Sequence, residues 1–155
     1  MLEVRPVTKD NWKELIALKV RDDQKHFVAS NLYSIAESGF GEDIPGEGHW
    51  DMFPYGIYDG SIPVGFLMIS YNLANQRFQG FIYRLMVDER FQGKGYGKYG
   101  MTWILETYRG NERVKAIAIS YEPENETARK LYASFGFVET GEMVDDEVLA
   151  VLSLQ

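Results

Sequence analysis

At 155 residues, with 45% apolar and 14% aromatic residues, the chain has the size and composition of one globular domain with a buried core. A formal charge of −7 argues against general nucleic-acid binding, which needs basic surface against phosphate. The absence of cysteine excludes disulfides, thiolate metal sites and a thiol nucleophile, and two histidines alone leave no expectation of a metal centre. No apolar run approaches the ~20 residues that cross a bilayer, and Met1-Leu2-Glu3-Val4 lacks the basic-then-apolar plan of a signal peptide. The expectation is a soluble, cytoplasmic, single-domain protein spanning residues 1–155.

In chain order, residues 2–7 alternate as a first strand, and Thr8 or Asp10 can cap a helix with Trp12, Leu15, Ile16 and Val20 on one face. Ser30 can cap a second helix carrying Leu32, Ile35 and Ala36. Residues 39–48, broken by Gly41, Pro45 and Gly46, read as a mobile loop. Strands over 53–58 and 62–71 are joined at Asp59-Gly60, a hairpin pair. A polar stretch then leads to a strand over 81–87, a glycine-rich connection, and a helix bearing Met101, Ile104, Leu105 and Tyr108 on one face. Residues 114–121 are almost continuously apolar, as in a strand covered on both faces. Asn125 caps a last helix striped with Ala128, Leu131, Tyr132 and Phe135, and Gly136 ends it. A final hairpin turns at Asp145-Asp146. These elements predict a mixed, mostly antiparallel α/β (α+β) fold, with a central sheet of about seven strands and about four helices. Only the unit around the glycines must be a parallel crossover.

The connection Arg90-Phe91-Gln92-Gly93-Lys94-Gly95-Tyr96-Gly97-Lys98 is the most informative stretch. Its glycines let the backbone approach a ligand, and the first turn of the following helix offers unpaired N–H groups to an anion. Tyr99 follows Gly97-Lys98 where a Walker loop needs Ser or Thr, so that loop is excluded. Gly95-x-Gly97-x-x-Gly100, with Glu122 downstream, matches a dinucleotide fingerprint, but too little chain follows for a second mononucleotide half. A pyrophosphate is the expected occupant; a turn that binds nothing is the plain alternative.

The Gln92-x-x-Gly95-x-Gly97 spacing between strand and helix resembles the signature of the GNAT superfamily of N-acetyltransferases. Residues 120–125, with Ala128, Leu131-Tyr132 and Gly136-Phe137, resemble its second half. Residues 24–37, including Phe27 and Asn31, are similar to the entry segment of the spermine/spermidine branch. The resemblance implies the acyl-CoA N-acyltransferase fold and direct transfer from acetyl-CoA to a primary amine. It implies pyrophosphate contacts from Gln92, Gly93, Lys94, Gly95, Tyr96, Gly97 and Lys98, and pantetheine pairing along Leu85, Met86 and Val87. Asn125 falls where relatives touch the cofactor arm, and Tyr132 where many carry the acid that protonates the leaving thiolate. With a phenol at pKa ~10 and a thiol at ~8.5, that transfer is expected to run downhill.

Charge placement adds an acceptor. Residues 26–76 contain no Lys or Arg but hold Glu37, Glu42, Asp43, Glu47, Asp51 and Asp59, whereas Arg84, Arg90, Lys94 and Lys98 surround the glycines. A polycationic amine such as spermidine or spermine is the expected substrate, with Phe27, Asn31, Glu37, Asp51 and Arg84 as candidate contacts. Glu122 is the first candidate base, ahead of Glu37, Asp51, His26 and His49, and a water held by backbone carbonyls is the alternative. An antibiotic, amino acid, protein N-terminus or lysine acceptor stays open, as does a non-catalytic coenzyme A sensor. The apolar C-terminal strand leaves a monomer or a homodimer open.

Overall fold

The computed structural model describes residues 1–25 and 29–155. The elements run β1 (Leu2–Pro6), α1 (Trp12–Ile16), α2 (Asn31–Ser38), β2 (Glu42–Ile44), β3 (Gly48–Asp59), β4 (Ile62–Tyr71), β5 (Gly80–Val87), α3 (Tyr96–Arg109), β6 (Ala116–Tyr121), α4 (Glu126–Ser134), β7 (Val138–Val144) and β8 (Glu147–Ser153). Seven strands form one sheet in the order β1-β3-β4-β5-β6-β8-β7, and β2 pairs with β3 off that path. Among the described residues only β5 and β6 run parallel, the two strands that α3 connects. Among the described residues no helix is long and apolar enough to cross a membrane.

Local chemistry explains most boundaries. The Ser30 hydroxyl accepts from the Tyr33 N–H, and the Asn125 side chain accepts from the Ala128 N–H, so both helices start where their caps stand. Asp145 and Asp146 both take positive φ, as a two-residue hairpin turn requires. Two expectations are corrected. Residues 39–48 are not a simple mobile loop, because Glu42–Ile44 fold back as β2 on β3, which starts at Gly48 instead of Phe53. Trp50, 1% exposed against Phe78 and Phe81, anchors that hairpin. Helix α1 stops at Ile16, and Lys19 then pairs through its N–H with Asp88 and through its carbonyl with Glu89 N–H. This seats Leu18 and Val20 in the core without helix.

The core lies on the two faces of the sheet. Met101, Ile104, Leu105 and Tyr108 of α3 cover Ile57, Leu67, Ile69 and Ile82. On the other face Leu15, Leu18 and Val20 pack against Met52, Phe66, Met68 and Met86. Gly100 permits the close approach of α3, since a Cβ there meets Ile57 Cδ1 at 2.9 Å and Leu85 Cδ1 at 3.1 Å. The C-terminal strand β8 lies between β6 and β7 with both edges paired, so it offers no edge to a second subunit.

Candidate active site

Strand β5 is straight only as far as Ile82. Its register with β4 shifts between Met68 and Ile69, leaving Tyr83 as the extra residue of a bulge. Pairing with β6 stops at the same point: Gly80, Phe81 and Ile82 face Ile117, Ala118 and Ile119, and nothing follows. The strands then part, and the edge of β5 from Tyr83 to Val87 that faces β6 has no strand partner among the described residues. A cleft of about 1240 Å³ opens there, lined by Leu85, Met86 and Val87 on one wall and by Ile119, Ser120 and Tyr121 on the other.

One end of the cleft is the glycine connection. Asp88 is buried and caps the turn after β5, accepting from Arg90 N–H and Lys19 N–H. The Gln92 amide donates to Val87 O at 3.0 Å and to Gln24 Oε1 at 2.9 Å, fixing the loop to the end of the strand. Gly93 and Gly95 take φ of 80° and 88°, the left-handed region that other residues enter only with strain. Among the described residues the N–H groups of 92–98 find no acceptor within the protein, and those after Gly95 open a fourteen-residue helix. A phosphate fits this cradle. Of the basic residues expected around it, Arg90 is held by Asp88 and Arg84 points to α2, which leaves Lys94 and Lys98. Neither lysine lines the cleft itself; Gln92, Gly93, Gly95, Tyr96 and Gly97 do.

Tyr132 of α4 lines the cleft, 8% exposed, between Tyr121 and Phe137 at ring distances of 5.6 and 6.2 Å. Among the described residues its hydroxyl has no hydrogen-bond partner. Burial, then the neighbouring Tyr121 and Glu147, push this phenol well above its ordinary pKa. It therefore holds its proton at any working pH. The expected downhill transfer is corrected: a proton moves downhill only toward the group of higher pKa, so a free thiolate at ~8.5 does not take it from a phenol above ~10. The phenol can act only while charge builds on sulfur, with its own proton replaced in the same step. Asn125 lies nearby, its carbonyl engaged by the Ala128 N–H and its amide nitrogen without a partner among the described residues.

The other end of the cleft is acidic. Glu37, Glu42, Glu47, Glu142, Asp145 and Glu147 line it. Arg84 bonds Ser34 Oγ at 3.0 Å and the carbonyl of Tyr83 at 2.6 Å, and pairs with Glu37 at 3.5 Å; Arg77 is paired with Glu142. Glu42, Glu47, Asp145 and Glu147 have no guanidinium partner among the described residues. Burial raises the pKa of Glu42, with the Glu37 charge adding to it. Burial also raises Glu147, offset by the Ser120 hydroxyl, which donates to Glu147 Oε1 at 2.7 Å. Tyr33, Trp50, Phe81 and Tyr83 supply the aromatic part of the lining.

The structure gathers the residues expected for the cofactor into one cleft with Glu37 and Arg84, except Lys94 and Lys98, which lie outside its lining. Three other expected residues stand apart. Glu122 is half-buried just beyond β6 and does not line the cleft. Asn31 is buried, its amide donating to Leu15 O at 2.8 Å as a tie between α2 and the end of α1. Asp51 is exposed outside the cleft, 3.4 Å from His49, which also meets Asp43 at 2.7 Å. Phe27 and His26 lie outside the described residues. Sequence reading missed Tyr83, Glu142, Asp145 and Glu147. The run of acids around Asp145-Asp146 was a signal, but its use depends on β8 inserting beside β6, which no local pattern reveals.

Comparison with known proteins gives a consistent picture. The family model described as "Acetyltransferase (GNAT) family" matches residues 12–137. The chain is 28% identical over 146 residues to the spermine/spermidine N(1)-acetyltransferase of Bacillus subtilis, covering 92% of this chain and 91% of that protein. Its fold is similar to that of an aminoglycoside acetyltransferase bound to coenzyme A, with TM-score 0.75, 18% identity, and 100% and 96% of the two chains covered. It is similar also to the spermidine N-acetyltransferase of Vibrio cholerae bound to CoA and spermine, with TM-score 0.72, 15% identity, and 98% and 95% covered.

Proposed function

The chain belongs to the GNAT acetyltransferase family and is an acetyl-CoA-dependent N-acetyltransferase, and from that premise we propose that its acceptor is a polyamine of the spermidine or spermine class. The observation that carries this reading is the set of four cleft carboxylates, Glu42, Glu47, Asp145 and Glu147, that have no guanidinium partner among the described residues. A flexible chain bearing several ammonium groups meets them with charge, and lays its methylenes on the aromatic lining. The B. subtilis relative supports the same acceptor. The fold does not choose, since aminoglycoside and spermidine enzymes share it.

Acetyl-CoA supplies an acetyl thioester. The loop N–H groups of 92–98 hold its pyrophosphate, the open edge of β5 at Leu85, Met86 and Val87 receives the pantetheine arm, and Asn125 has an amide nitrogen to offer it. A strand N–H, most directly that of Leu85, polarises the thioester oxygen. The Tyr132 hydroxyl hydrogen-bonds the sulfur as it leaves, giving one proton and receiving another from the acceptor nitrogen in the same step. A panel of amines assayed by thiol release tests the proposal. Spermidine and spermine are turned over well ahead of monoamines; acetylation confined to neutral or acidic acceptors overturns the polyamine, and no turnover with any amine overturns catalysis.

A further inference from the structure

We infer that Glu147 is the group that takes the proton from the acceptor ammonium, a role that rests on the amine-acetyltransferase reading above. The placement follows from topology. Val148 pairs with Tyr121, so Glu147 at the start of β8 stands beside the C-terminal end of β6, where β5 has already turned away. It lines the cleft, half-buried, with one oxygen engaged by Ser120 Oγ at 2.7 Å and the other without a partner among the described residues. Its charge acts on Tyr132 from across the cleft, and the charge of Arg84 on the β5 wall acts on it. Glu147 shares a sheet face with Ser120 and Leu149, while Tyr132 packs with Tyr121 on the opposite face, so base and acid reach the parting of the strands from its two sides.

The other carboxylates serve this position less well. Glu37 and Glu142 are paired with arginines, and Glu47 is exposed and accepts from the Trp50 indole at 3.1 Å. Glu42 lies on the β2 arm, away from α4, and Glu122 is outside the lining. The charged and titratable groups that act on Glu147 are Glu122 from the end of β6, Arg84 from β5, Asp145 from the hairpin turn and Tyr132 from α4. Burial outweighs the Ser120 hydrogen bond, and the carboxyl sits above its usual range. An alkylammonium near ~10.4 faces a gap of about six units to an ordinary carboxylate, and each unit by which that gap narrows is tenfold in the transfer equilibrium.

The proton balance closes. Glu147 takes one proton from R–NH3⁺, and the freed lone pair forms the N–C bond to the carbonyl carbon while the C–S bond breaks. The second proton lost by nitrogen reaches sulfur through the Tyr132 hydroxyl, and Glu147 returns its own to solvent. Ammonium plus thioester becomes amide, thiol and one proton.

The test joins kinetics to a titration made without substrate, using whichever amine the wild type accepts. In the wild type, kcat falls as pH drops through the Glu147 pKa. Carboxyl NMR of the free protein identifies one resonance, absent from Glu147→Gln, that titrates at that same pH. Glu147→Gln lowers kcat about 100-fold, the lower end for a lost general base, and abolishes the acid limb, with coenzyme A affinity unchanged by calorimetry. Ser120→Ala removes a hydrogen bond that favours the carboxylate, so limb and resonance both move to higher pH. An acid limb that survives in Glu147→Gln, or stays fixed in Ser120→Ala while the resonance moves, overturns the inference and leaves the acetyltransferase reading standing. If Glu147→Gln does not fold, Ser120→Ala and the wild-type titration decide alone. A wild type inactive on polyamines but active on another amine overturns the acceptor instead.

Discussion

Tyr132 has an arrangement that a purely structural tyrosine does not explain. A buried phenol is ordinarily held by a hydrogen bond, and this one lines the cleft without a partner among the described residues. Tyr132→Phe removes the hydroxyl and little else, because Tyr121 and Phe137 hold the ring. The expected result is a kcat loss of about 10² to 10⁴-fold with coenzyme A affinity retained, measured by steady-state kinetics beside calorimetry. The raised pKa fixes a sign as well: the phenol stays neutral through the assay range, so an alkaline decline in kcat belongs to another group. A Phe variant with wild-type kcat would remove Tyr132 from the chemistry. This residue was legible in the sequence because its place on a helix stripe, just after an Asn cap, is local information. Glu147 was not, since its neighbours Ser120 and Tyr132 lie 27 residues away and on another element.

At the scale of elements, the cleft exists because β5 bulges at Tyr83, and Tyr108 of α3 fixes the strands just before that bulge. Its hydroxyl donates to Ser70 O at 2.8 Å and accepts from Ser70 N–H at 3.2 Å, with Phe81 O a further acceptor at 3.4 Å. Gly80 must be glycine for this ring to fit, since a Cβ there meets Tyr108 Cε1 at 2.4 Å. Tyr108→Phe leaves a buried N–H without its acceptor and is expected to cost about 1–3 kcal/mol. At about 2–4 °C per kcal/mol for a chain of this size, a melting scan reads it directly. An unchanged melting temperature would mean that the hydroxyl does not hold the strands. Element existence and order were readable from caps, glycines and periodicity: Ser30, Asn125, Asp59-Gly60 and Asp145-Asp146 all stand where the elements begin or turn. The bulge was not readable, because Tyr83-Arg84 continues an apolar strand with no glycine or proline to mark it. The β2 arm was missed for the opposite reason. Gly41, Pro45 and Gly46 pointed to a loop, while burial of Trp50, a tertiary fact, holds the hairpin.

For the whole molecule, the acidic lining comes from both sides of the parting in the sheet. Glu37, Glu42 and Glu47 come before β5, and Glu142, Asp145 and Glu147 come after β6. Only three residue pairs join those strands, so the two groups of carboxylates face one another across the opening. A formal charge of −7 strengthens the field, and a cleft with low-dielectric walls concentrates it. An acceptor with several ammonium groups gains from that field in proportion to its charge, whereas a monoamine gains once. Salt therefore separates recruitment by charge from recruitment by shape. The Debye length is about 10 Å at 0.1 M and about 3 Å at 1 M, so raising salt across that range screens the rim while leaving contact packing in place. With acetyl-CoA saturating at every salt, log kcat/KM against log salt should fall more steeply for spermine than for spermidine, and more steeply for spermidine than for a monoamine. Saturation matters because the anionic cofactor proposed for the glycine loop would itself bind less tightly as salt rises. Parallel slopes for all three amines would show that the carboxylates do not recruit the acceptor, and would shift its recognition to the aromatic lining of Tyr33, Trp50, Phe81 and Tyr83.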